Sequence, residues 1–116
     1  MDALAPFRHL EFGLAALADA AAQVCAHMAS PEDERVRDAA DERTIRYYQT
    51  TGLLDRPLRY EGRSAVYGYR HLLQVVAVKA LQAHGLSLAQ VQRALAGAST
   101  SQLESAVSDA VSGGTT

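Results

Sequence analysis

Apolar residues recur at helical spacing in five stretches of the chain and lose that spacing in one. From Leu14 the residues Leu14, Leu17, Ala21, Val24, Cys25 and Met28 fall on one helical face, with alanines between them that favour the helix. A shorter helix is predicted from Asp41, an N-cap candidate, to a stop at Gly52, which tolerates left-handed backbone. Only Ile45 and Tyr48 form its apolar side; Arg43, Arg46, Tyr47 and Thr50 occupy the rest of the cylinder. Residues 53–67 show no helical period and contain Pro57 and Gly62. Within them Leu58-Arg59-Tyr60 and Ser64-Ala65-Val66-Tyr67 can pair as a hairpin around Glu61-Gly62-Arg63. The helix over 69–84 carries Leu72, Leu73, Val75, Val76, Val78 and Leu81, a surface broad enough to be the most buried in the domain, with Gly85 as its cap. Ser87-Leu88-Ala89-Gln90 has the form of a capping box ahead of Leu88, Val91 and Leu95. A second box, Ser101-Gln102-Leu103-Glu104, opens a stripe of Leu103, Ala106, Val107, Ala110 and Val111 before a tail, 112–116, expected to be disordered.

Residues 1–11 have no assignable element. Between the first two helices Pro31 is a stop, and the acids of 32–38 read as a solvated loop or a further short turn. At 116 residues and 48% apolar the chain is expected to form one domain with one core, too short to carry a separate ligand-binding domain as well. The net charge of -2 hides a division. Residues 1–42 hold three Arg against nine acids, a balance of -6, whereas residues 43–93 hold eight bases against two acids, a balance of +6. A basic block is either a solvated face or the footprint of an anionic partner. The helix at 41–51 favours the partner, because two guanidiniums, a phenol and hydroxyls around a narrow apolar stripe suit a charged, hydrogen-bonding surface such as nucleic acid.

The same helix carries a resemblance. Thr44-Ile45-Arg46-Tyr47-Tyr48 followed by Gly52-Leu53-Leu54 resembles the recognition helix and exit turn of the MerR family of bacterial transcription regulators. Gly62-Arg63, Tyr67, the apolar helix through Leu81, Gly85-Leu86-Ser87-Leu88 and the short helix to Leu95 follow in the family's order. Phe12-Gly13-Leu14-Ala15-Ala16-Leu17-Ala18 is similar to the opening of its first helix. The chain departs from the pattern at 29–40, which replaces a tight turn and implies an expanded helix-turn-helix. The resemblance implies a mainly α winged helix-turn-helix with a small β-hairpin wing and four to five helices: an N-terminal extension at 1–11, the DNA-binding domain at 12–97, a short C-terminal helix at 98–111 and the tail at 112–116.

By the same resemblance the function is sequence-specific binding of double-stranded promoter or operator DNA, with RNA polymerase affected indirectly. Arg46 and Tyr47 are implied to hold phosphates, Arg43 and Thr44 to read base edges, and Arg63 and Tyr67 to anchor the wing, along which Arg56 and Arg59 add guanidiniums; the bland alternative for the wing is a surface loop with incidental arginines. Tyr48 is expected to pack inward beside Ile45. Family members continue after residue 98 into a dimer-forming helix. Here the tail either docks on its own domain or makes a short homodimer contact through 99–111, and the N-terminal region is a second candidate for that contact. The alternative function is a protein-interaction module, using the acidic 32–38 segment and the apolar 103–111 stripe, or an accessory DNA-bending factor.

Enzymatic chemistry finds no foothold. His9, His27, His71 and His84 have no metal-ligand spacing with a second His or Cys, and no phosphate loop or nucleophile elbow occurs. No cofactor is expected. Cys25, the single cysteine, sits in an alanine-rich apolar face and reads as a buried thiol. No stretch has the length of a membrane span, and Asp2, Glu11 and Asp19 interrupt the N-terminal apolar run, so the cytoplasm is the expected location.

Overall fold

A computed structural model describes residues 4–27 and 41–111, without the side chains of the last two. After a 3-10 turn at Ala5–Phe7 come α1 (Leu14–Cys25), α2 (Glu42–Thr51), strands β1 (Arg59–Glu61) and β2 (Ser64–Val66), α3 (Tyr69–Ala83), α4 (Leu88–Leu95) and α5 (Thr100–Val111). This is the mainly helical fold with a two-stranded antiparallel hairpin that the apolar pattern predicts, consistent with the winged helix-turn-helix that the resemblance implies. Met28, the Pro31 stop, the acidic 32–38 segment, the expanded turn and the 112–116 tail lie outside the described residues.

Helix α3 is the core, with every residue from His71 to Val78 buried. Its two polar members are satisfied and tie down the loop that leads into the wing. His71 accepts the Gly68 N–H at Nδ1 (3.0 Å) and donates from Nε2 to the Arg56 carbonyl (2.8 Å), while Gln74 Oε1 accepts the Asp55 N–H at 3.0 Å. Against α3 lie Leu17, Ala20, Ala21, Val24 and Cys25 of α1, one face at three- and four-residue intervals. Cys25 is fully buried, and burial pushes its thiol up to about 11 although the Lys79 charge opposes the shift.

The second helix buries only Ile45 and Tyr48, the narrow stripe its sequence predicts. Asp41 caps it, its carboxylate accepting the Thr44 N–H at 2.8 Å. Gly52 ends it at φ +84°, and the Leu53 N–H turns back to the Tyr48 carbonyl at 2.9 Å. The hairpin pairs Arg59 with Val66, Tyr60 with Ala65 and Glu61 with Ser64. That register leaves a two-residue loop, Gly62-Arg63, with positive φ at the glycine; a loop of this kind matches the twist of the strands.

Both ends of the described chain pack onto this framework. Leu4 is buried, Phe7 stacks at a tilt on Phe12 with centroids 6.2 Å apart, and Phe12 exchanges two 2.7 Å backbone bonds with Tyr67, extending the wing by a bridge. In α5, Leu103 and Val107 enter the common core, so of the two dispositions open to the tail the stripe takes docking on its own domain. Its capping box is Ser99 with Gln102 (2.8 and 3.0 Å), two residues ahead of the expected Ser101 and Glu104. Glu104 is engaged elsewhere, accepting from the Tyr69 hydroxyl and from Arg8 Nε at 3.2 Å.

Candidate nucleic-acid interface

A helix that buries two residues per three turns leaves most of its side chains outside, and α2 turns Glu42, Arg46, Gln49 and Thr50 toward the wing. Between them runs a groove of about 660 Å³, closed at one end by the first turn of α1. Arg46, Gln49 and Thr50 form the helical wall; Tyr60, Arg63 and Ser64 form the wing wall. Residues more than a dozen positions apart thus place two guanidiniums on one concave surface. Both are exposed, and neither makes an ion pair among the described residues. Glu42, also at the groove, is its one acidic lining residue among those described.

The expected contact residues separate into three groups. Arg46 and Arg63 share the groove, and Arg43 stands one turn before Arg46 on the exposed surface of α2. Tyr47 is also outside, 51% exposed, its ring tilted at 6.5 Å from that of Tyr48. Thr44 is half-buried with its N–H committed to Asp41, and Arg56 is an exposed residue of the loop whose carbonyl His71 holds.

Arg59 belongs to neither wall. Successive strand residues point to opposite faces, so Tyr60 looks into the groove while Arg59 and Glu61 look away from it. There Arg59 is gripped by Glu11 at 2.5 and 3.0 Å and by Glu61 at 3.1 Å. Its hydrogen bond holds the Glu11 carboxyl below the usual carboxylate range, against a smaller effect of desolvation. Tyr67, expected to anchor the wing, is only 2% exposed, and its hydroxyl donates to Gln49 Oε1 at 2.9 Å. Burial raises its phenol pKa, the neighbouring Tyr60 adds to the rise, and Arg46 opposes it. Tyr48 is buried as expected, which pushes its phenol up to about 12, and it donates to Gln82 at 3.3 Å.

Sequence reasoning missed Gln49 and Tyr60. Tyr60 is 61% exposed, and strand alternation opposite the buried Val66 position offered the only signal for its direction. Gln49 lies one turn beyond Arg46, a spacing that was legible, but its bond to Tyr67 was not.

Among the described residues no cluster of three or more His, Cys, Asp or Glu side chains has the arrangement of a metal site, and no helix is long and apolar enough to cross a membrane. Compared with known families, residues 40–98 match the family described as MerR HTH family regulatory protein. Searches of curated proteins and of solved structures return no match.

Proposed function

The chain belongs to the MerR helix-turn-helix regulatory family, and on that premise we propose that it regulates transcription by binding double-stranded DNA, with α2 in the major groove and the wing against the neighbouring backbone. The observation that carries this reading is the shared groove of Arg46 and Arg63, two guanidiniums on facing walls that make no ion pair among the described residues. Arg46, Arg63 and Tyr47 hold phosphates; Arg43 and Thr44, at the N-terminal end of α2, face base edges, where an arginine can bridge the two acceptors of a guanine. Arg56 contributes charge from the loop. Arg59 is the weakest member of the set, since Glu11 and Glu61 already neutralise it. RNA polymerase is affected through the promoter rather than touched.

The interaction-module alternative loses one of its two surfaces, because Leu103 and Val107 are buried in the protein's own core. A homodimer through 99–111 would meet the same obstacle, as the outward residues of α5 include Ser101, Gln102, Ser105 and Ser108.

Selection of bound sequences from random duplexes tests the proposal. Enrichment of a defined site is the expected result, and symmetric half-sites would reveal a dimer. Failure to enrich any sequence would contradict specific binding. On the selected duplex, Arg46→Ala weakens binding to all sequences alike, whereas Arg43→Ala costs roughly 1–3 kcal/mol and relaxes preference at one position.

A further inference from the structure

The Tyr67–Gln49 bond fixes more than the spacing of wing and helix. Because the hydroxyl donates to Oε1, the acceptor end of the Gln49 amide is occupied and its orientation is set. The Nε2 end keeps two N–H donors that no described residue takes up. Gln49 lines the groove with Arg46 and Arg63, so these donors belong to a surface already furnished with two positive charges. Such a set, two guanidiniums and an oriented amide, matches a group with several lone pairs and a negative charge. The geometry points to Gln49 as a donor to a backbone phosphate of duplex DNA seated in this groove, with Tyr67 as the residue that positions it. This rests on the proposed duplex binding and deepens it: an uncharged donor joins the site, and the buried phenol acts through the amide rather than by its own contact.

A phosphate rather than a base edge is favoured because both walls supply charge, and a base would gain nothing from the second guanidinium. The test measures affinity for the selected duplex and for a random-sequence duplex pool at one salt concentration. It compares the parent with Gln49→Ala, Tyr67→Phe, the double variant and Arg46→Ala, each checked for an unchanged circular dichroism spectrum. Gln49→Ala is expected to lower affinity about tenfold on both duplexes, the scale of a hydrogen bond to a charged acceptor. Tyr67→Phe, which keeps the ring in the core, lowers it about threefold, and the double variant binds no worse than Gln49→Ala alone. Should Gln49→Ala and Tyr67→Phe bind as the parent does while Arg46→Ala fails, the phosphate contact is overturned and duplex binding stands. A Tyr67→Phe loss that persists undiminished beside Gln49→Ala overturns positioning, since a merely structural weakening would add. Loss of preference at a single base pair in Gln49→Ala overturns the choice of phosphate. If the parent binds neither duplex, the inference and the function it rests on fall together.

Discussion

A guanidinium contributes to duplex affinity only while no carboxylate of the protein already neutralises it. Arg46 and Arg63 meet that condition among the described residues; Arg59, held by Glu11 and Glu61, does not. Arg59→Ala is therefore expected to weaken DNA binding far less than Arg46→Ala or Arg63→Ala, and Glu11→Gln to strengthen it at low salt, as read by fluorescence anisotropy. Equal losses at all three arginines would contradict this ranking. The difference was invisible in the sequence, where Arg59 and Arg63 look alike: Glu11 lies 48 positions away from Arg59, far beyond the local spacing from which helix and strand neighbours are read. By contrast the caps of α2 were legible, because Asp41 and Gly52 act on backbone groups within a turn of themselves. Gly52→Ala, forced to φ +84°, should cost roughly 1–2 kcal/mol of stability in denaturant titration.

Elements are held in register by a few polar ties across an otherwise apolar core. Arg70 joins three segments: its Nε donates to Asp55 at 2.7 Å after the exit turn of α2, and its terminal nitrogens reach Ala98 O (2.9 Å) and Thr100 Oγ1 (3.2 Å) at the start of α5. Partial burial, the largest single influence on the Asp55 carboxyl, would raise its pKa, but hydrogen bonds from Arg70 and Gln74 together with the Arg70 charge carry it below the ordinary value. A carboxyl depressed in the folded state adds stability above the unfolded value, near pH 4, and loses it as pH falls through the folded one. Asp55→Asn should accordingly show a shallower loss of stability than the parent on acidification below about pH 4. The docking of α5 is apolar, and Leu103→Ala should cost about 2–5 kcal/mol in urea titration, the range for a buried leucine. A loss near zero would mean that α5 does not rest on the domain in solution. Periodicity placed Leu103 and Val107 of the α5 stripe correctly, though Ala106 is exposed, yet could not choose between docking and a dimer, because an apolar face specifies that it is covered and not by what. The capping box shifted for a related reason: Ser101 and Glu104 fit the local rule, but Tyr69 and Arg8, remote in sequence, claim the Glu104 carboxylate.

At the scale of the molecule, the basic half of the chain, residues 43–93, contains both walls of the groove apart from Glu42 and the turn of α1 that closes it. Two of the bases of that stretch come to share one groove because the hairpin folds Arg63 back toward Arg46. If about six phosphates are neutralised on binding, the logarithm of affinity should fall against the logarithm of salt concentration with a slope of about -5. Arg46→Ala should make that slope shallower by about one unit. Measured on the parent and on Arg46→Ala with the same duplex, a steep line that flattens by this amount is the predicted result; a slope near zero, or one that Arg46→Ala leaves unchanged, would contradict a phosphate-binding groove between helix and wing.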